Sequence, residues 1–150
     1  MITDEKRPEE RAEEAGPFTP SLAVFHCRWC QPDSEHVRGM LPQSVSERSI
    51  VARLNCSARM EAEFGIKAFG EGYDGVVVIG CEKGECHYRV GNIQAERRLR
   101  LLKEMLSLVG IYPERLGVFW ASPFDEDSTR RAIAEYVETI KSIGPFKEPD

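Results

Sequence analysis

No run in this sequence approaches the roughly 18–20 consecutive apolar residues that cross a bilayer, so membrane insertion is not expected. The opening Met1-Ile2-Thr3-Asp4-Glu5-Lys6-Arg7 also lacks an apolar core followed by a small-residue cleavage site, which argues against a secretory leader and for a cytoplasmic chain. A P-loop and a G-x-S-x-G are missing, and G-x-G-x-x-G is read as missing too, so nucleotide binding and acyl transfer have no signal. With 20 Lys and Arg against 25 Asp and Glu, the formal charge of -5 disfavours nucleic acid as the main partner.

What is present is a globular composition, 41% hydrophobic and 30% charged, in 150 residues. That length suits one domain, which buries roughly two thirds of the surface of its unfolded chain and needs no disulfides. The five cysteines are an odd number in a compartment that keeps thiols reduced. A disulfide framework is therefore disfavoured, and metal or redox chemistry becomes the better reading.

Residues 1–20 are rich in Glu, Lys, Arg and Pro, with Pro8, Pro17 and Pro20 breaking any helix; a mobile charged tail is expected, with a short helix over Glu9 to Ala15 as the alternative. From Ser21 short β-rich runs alternate with helical periodicity, and 21–145 reads as one α/β domain followed by a C-terminal tail, 146–150. The runs are Leu22-Ala23-Val24-Phe25-His26, Ile50-Val51-Ala52-Arg53-Leu54, Gly75-Val76-Val77-Val78-Ile79-Gly80 and Leu116-Gly117-Val118-Phe119-Trp120-Ala121. Arg53 marks the second as an edge strand.

Between them, Ser34 to Met40 supports about two turns of helix or a loop. Ala62, Ile66 and Phe69 make a helical stripe closed by Gly70 and Gly72. About Asn92 to Val109 forms a helix with Leu102, Met105, Leu106 and Val109 on its apolar face and Arg97, Arg98, Arg100 and Lys103 opposite. About Asp127 to Ile143 forms another that buries Ile133, Tyr136, Val137 and Ile140. Right-handed crossovers then predict a three-layer α/β/α domain, flavodoxin-like or Rossmann-like, with four parallel strands in the order 2-1-3-4.

That topology gives the cysteines their meaning. Cys27, Cys56 and Cys81 each follow a strand, so they share the carboxyl edge of the sheet, where open parallel sheets bind ligands. Cys30 completes Cys27-Arg28-Trp29-Cys30, and Cys86 completes Cys81-Glu82-Lys83-Gly84-Glu85-Cys86. An iron–sulfur cluster takes four thiolates that need not be close in sequence. An oxidised [2Fe-2S] centre carries about two net negative charges, and Arg28, Lys83, Arg89, Arg97 and Arg98, with the amino end of the helix near Asn92, are candidate stabilisers. Buried structural cysteines, a zinc-stabilised scaffold, and a dithiol oxidoreductase using Cys27 and Cys30 are the competing readings. His87 beside Cys86 is one histidine where a Rieske-type centre uses two, so a loop or core hydrogen bond is the expected role. His26 and His36 are expected to be structural or exposed, and Trp29 to shield the centre or cap the core.

The segment Gly80-Cys81-Glu82-Lys83-Gly84-Glu85-Cys86-His87-Tyr88-Arg89-Val90-Gly91-Asn92, followed by Ala95-Glu96-Arg97-Arg98, resembles the G-C-x-x-G-[DE]-C-H-Y-x-x-G-N-x-x-A-x-R-R signature of the methyl-viologen-reducing hydrogenase delta subunit family. Cys27-x-x-Cys30 and Cys56-Ser57-x-Arg59-Met60, each after an apolar strand, fit the same family over about Leu22 to Gly144. Glu82, Ala58 and Gln31-Pro32-Asp33 depart from its usual pattern. The resemblance implies a [2Fe-2S] cluster on four of the five cysteines. It also implies a connector role, without substrate turnover, between a hydrogenase or formate dehydrogenase module and the A-type flavoprotein of heterodisulfide reductase. Two ligand sets stay open: Cys27, Cys30, Cys81 and Cys86, or Cys27, Cys56, Cys81 and Cys86, with a preference for the second because strand ends are better pre-organised.

Overall fold

The computed structural model describes residues 17–150; most of the expected charged tail over 1–20, and its alternative of a short helix over Glu9 to Ala15, lie outside them. Strands β1 (Leu22–Cys27), β2 (Ile50–Leu54), β3 (Gly75–Cys81) and β4 (Leu116–Ala121) form one sheet in the order β2-β1-β3-β4, all parallel. The predicted order is thus the observed one, with β2 at an edge. Helices α1 (Ser34–Arg38), α2 (Gln43–Ser46), α3 (Ala62–Gly70), α4 (Gly91–Leu108) and α5 (Glu126–Ile143) connect or follow the strands.

Alternation along the strands splits the core into two layers. Leu22, Val24, Val77 and Ile79 face α1, α2 and α5, packing on Val37, Val45, Ile133, Val137 and Ile140. Ala23, Val76, Val78 and Leu116 face α3 and α4, packing on Phe69, Leu99, Leu102 and Leu106. β3 is buried along its whole length because helices cover both its faces. Asp33 and Asp125 cap α1 and α5, accepting from the backbone N–H of His36 at 2.7 Å and Ser128 at 3.2 Å.

Two helical faces differ from expectation. Ile66 is 50% exposed, since α3 turns Gly65, Ala68 and Phe69 inward instead. In α4 the buried line is Ala95, Leu99, Leu102 and Leu106, while Met105 and Val109 point outward. The displaced apolar residues line a groove of about 360 Å³ between α3 and α4, edged by Glu148, Pro149 and Asp150. The four-residue α2 was not predicted. Against the absence read from the sequence, Gly70-Glu71-Gly72-Tyr73-Asp74-Gly75 does spell G-x-G-x-x-G. It leads from a helix into a strand, however, the reverse of a dinucleotide-binding turn, and lies at the amino edge of the sheet.

That amino edge is tied by a buried polar knot. The Asp74 carboxylate accepts from Ser21 N at 2.8 Å, Ser21 Oγ at 3.0 Å and Phe146 N at 2.9 Å. The Arg115 guanidinium donates to the carbonyls of Asp74 at 2.8 Å, Gly144 at 3.0 Å and Pro145 at 3.3 Å. Phe146 is thereby held against Phe69, and Phe18, near the other end of the described chain, packs on the first core layer. Asp74→Asn puts an amide where three donors converge and is expected to cost about 2 kcal/mol, read as a lower urea midpoint.

Candidate metal centre

The five cysteines gather at the opposite, carboxyl edge. β1 ends on Cys27, which pairs in register with Leu54 of β2, and the Arg28 N–H extends that pairing to the Leu54 carbonyl at 2.9 Å. β3 ends on Cys81, in register with Ala121. The chain after β1 then folds back beneath itself. Cys30 is 1% exposed, and its Sγ donates to the carbonyls of Cys27 at 3.5 Å and Ile79 at 3.9 Å. Cys56 follows β2 and caps the 3₁₀ turn Ser57–Arg59, accepting from Ala58 N at 3.5 Å. Cys86 is half-buried in the loop that joins β3 to α4.

The thiols form two groups. The Sγ atoms of Cys27, Cys30 and Cys81 lie within 4.8 Å of one another, with Cys27 and Cys81 at 3.7 Å. Cys56 and Cys86 converge instead on Gly91, the first residue of α4: a Cβ built there would overlap the Cys56 Sγ and stand 3.2 Å from the Cys86 Sγ. The amino end of α4, with its unpaired N–H groups, thus abuts two sulfurs.

Within the trio the hydrogen bonds favour the thiolate form on Cys27. Hydrogen bonds from Cys30 and then Cys81, aided by the Trp29 N–H at 3.4 Å, hold its thiol at about 2 despite burial. Cys30 is correspondingly pushed up by its bond to Cys27, and Cys81 is raised to about 12, chiefly by Cys27. Burial raises Cys56. A site that concentrates sulfur, supplies N–H donors to two sulfurs and leaves room only for a glycine at their meeting point has the donor set that iron–sulfur clusters require.

The surrounding residues take definite places. Asn92, in the second position of α4, is buried, and its Nδ2 donates to the carbonyls of Cys81 at 2.9 Å and Glu82 at 2.8 Å, fixing the start of the Cys81–Cys86 loop. Arg98 Nη1 donates to the Ala58 carbonyl at 2.7 Å, so α4 also holds the turn that carries Cys56. Trp29 is 43% exposed and does not cap the core; it stacks on His87 with ring centroids 3.5 Å apart, and Tyr88 meets both rings edge-on. His87 therefore makes an exposed ring contact in place of the expected hydrogen bond. Arg28 lies over the Trp29 ring at 5.3 Å. Lys83 faces Glu96 at 3.9 Å, and Arg97 is exposed. His26 is buried, with Nε2 2.9 Å from Ser34 Oγ, and desolvation lowers its basicity; His36 pairs with Glu126 at 3.3 Å.

The role of Gly91 and the bridge from Trp29 to His87 were missed in the sequence. The glycine sits in plain view inside the matched segment, but only side-chain directions show what it makes room for.

Known proteins share this chain's sequence along most of its length. The family model described as methyl-viologen-reducing hydrogenase, delta subunit, matches residues 22–144. The chain is 38% identical over 130 residues to the D-type iron-sulfur subunit of the F420-non-reducing hydrogenase of Archaeoglobus profundus, covering 87% of this chain and 95% of that one. It is 35% identical to the D-type vhc iron-sulfur subunit of the same kind of hydrogenase from Methanococcus voltae, over 85% of this chain and 89% of that one. It is also 36% identical over 127 residues to the A-type subunit of the ferredoxin:CoB-CoM heterodisulfide reductase of Methanosarcina mazei, where 85% of this chain matches only 16% of the larger protein. With the matched residues spanning all four strands and all five cysteines, the chain belongs to the methyl-viologen-reducing hydrogenase delta subunit family.

Proposed function

We propose that the chain holds a [2Fe-2S] cluster on Cys27, Cys81, Cys56 and Cys86 and passes electrons between a hydrogenase or formate dehydrogenase type module and an A-type flavoprotein of heterodisulfide reductase. The observation that carries this reading is the division of the thiols into two groups at one sheet edge. Two sulfurs on one tetrahedral metal with bonds of about 2.3 Å stand about 3.8 Å apart. Cys27 and Cys81 meet that spacing at 3.7 Å, and Cys56 with Cys86 at Gly91 supplies a second pair. A cluster with two irons takes its four ligands two and two.

Such a cluster, when bound, takes up and releases single electrons. The chain's own part is to hold the sulfurs on rigid strand ends, to bury Cys27 and Cys81, and to donate the Trp29 and Ala58 N–H groups to sulfur. Partner choice is supported by the relatives: two carry the name of a hydrogenase iron-sulfur subunit, and in a third the matching segment is part of the larger A-type chain of a heterodisulfide reductase.

The test is a serine series read by iron and sulfide content after anaerobic purification. Cys27→Ser, Cys56→Ser, Cys81→Ser and Cys86→Ser are expected to lose most of the iron, whereas Cys30→Ser keeps about two irons per chain, as the cluster type demands. Retention in Cys56→Ser with loss in Cys30→Ser would assign the other ligand set.

The compactness of the Cys27, Cys30 and Cys81 trio favours one second reading, a single zinc ion completed by Cys56 or Cys86. Colourless protein with one zinc per chain would establish it.

A further inference from the structure

Cys56 lines an open groove of about 320 Å³, which it shares with Asn55, Arg59, Tyr88, Gln94 and Arg98. Among the described residues no acidic side chain lines that groove, although the whole chain carries a formal charge of -5. Arg98 is anchored to the Ala58 carbonyl and lies 3.9 Å from Glu61. Arg59 is different: it ends the 3₁₀ turn that begins beside Cys56, it is exposed, and its guanidinium has no partner among the described residues. Cys27, Cys30 and Cys81 are buried in the core beneath the loop that carries Trp29 stacked on His87, whereas Cys56, although only 6% exposed, is on the wall of this groove. The groove therefore brings solvent, and any partner, to the sulfur site beside a fixed positive charge.

Resting on the cluster assignment above, we propose that this groove is an electron port, recognised by a redox partner that sets carboxylates against Arg59 and Arg98 and so brings its own redox group close to Cys56. Electron transfer weakens steeply with distance, so a concavity lined by a ligand cysteine lets a partner's redox group approach the sulfur site closely. The two guanidiniums select the sign of charge that can settle there. The port lies between the turn after β2 and the first turns of α4, and α4 continues the positive surface through Arg97.

Small redox reagents of opposite charge read the port without a protein partner. The intact protein, reduced anaerobically with dithionite, is mixed with ferricyanide, a trivalent anion, or with hexaammineruthenium(III), a trivalent cation. Each takes one electron from the reduced cluster, one cluster iron passing from the ferrous to the ferric state as the reagent is reduced by one electron. In Arg59→Glu combined with Gln94→Glu, the ratio of anion to cation rate constants is expected to fall at least about tenfold at low salt. At 1 M salt, where the Debye length is about 3 Å, the difference from the parent closes. Arg59→Gln should give a smaller fall, and Phe124→Ser, at an exposed position after β4, none. An unchanged ratio in the double variant, with iron content and visible spectrum equal to the parent, overturns the port and leaves the cluster standing. A parent chain that carries no iron overturns both.

Discussion

Gly91→Ala is expected to yield a folded protein without iron. The methyl group would occupy the space where Cys56 and Cys86 approach each other, overlapping one sulfur and standing 3.2 Å from the other and 3.6 Å from the Ala58 Cβ. Real Cβ atoms do not tolerate such contact. The Cys56 side chain is short, so relief comes from rotating its thiol away or from shifting the first turn of α4. Either movement separates the sulfur pair that completes the ligand set. Stability should change little, because an overpacking cost of about 1–3 kcal/mol is offset in part by the better helix propensity of alanine, up to about 1 kcal/mol. The two effects therefore separate: thermal unfolding near that of the apoprotein parent, with iron and visible absorption lost. Gly70→Ala, where an added Cβ meets nothing within 4 Å, is the matched control and should keep both.

Much of this site can be read directly from the chain, and the reason is specific. Apolar, strand-forming runs that end on Cys27 and Cys81, and one that ends two residues before Cys56, declare strand ends, and parallel topology then puts those ends on one edge. Periodicity was less informative where a helix carried apolar residues on two adjacent lines. In α4 either Leu102, Met105, Leu106 and Val109 or Ala95, Leu99, Leu102 and Leu106 makes a stripe, and the packing of β3 and β4 selects the second. A four-residue helix such as α2 is too short to show a period at all. The grouping of the thiols was beyond the sequence because spacing says nothing of side-chain direction. Cys30 is three residues from Cys27 yet turns its sulfur under the strand toward the Ile79 carbonyl. Trp29 finds His87 across 58 positions, and Arg98 finds the Ala58 carbonyl across 40.

Asn92→Asp is expected to damage both the fold and the centre, for a reason that belongs to the amide alone. The two side chains have the same shape, but the Asn92 Nδ2 faces two carbonyl oxygens, those of Cys81 and Glu82, at 2.9 and 2.8 Å. Its Oδ1 is buried with no partner among the described residues, so the amide gives up an acceptor bond in order to make both donor bonds. An aspartate oxygen at the donor position turns two attractions into two repulsions in a residue that is 3% exposed. A buried, unpaired charge with broken hydrogen bonds costs about 3–5 kcal/mol. For a chain of this size that is about 10 °C in the unfolding midpoint. The Cys81–Cys86 loop would lose its tether at the point where it leaves the sheet, and negative charge would be added close to a site that gathers thiolates. Iron content should fall with the melting temperature in Asn92→Asp. In Asn92→Ala, which removes the tether but adds no charge, the midpoint should drop by about half as much, and iron should be retained in part.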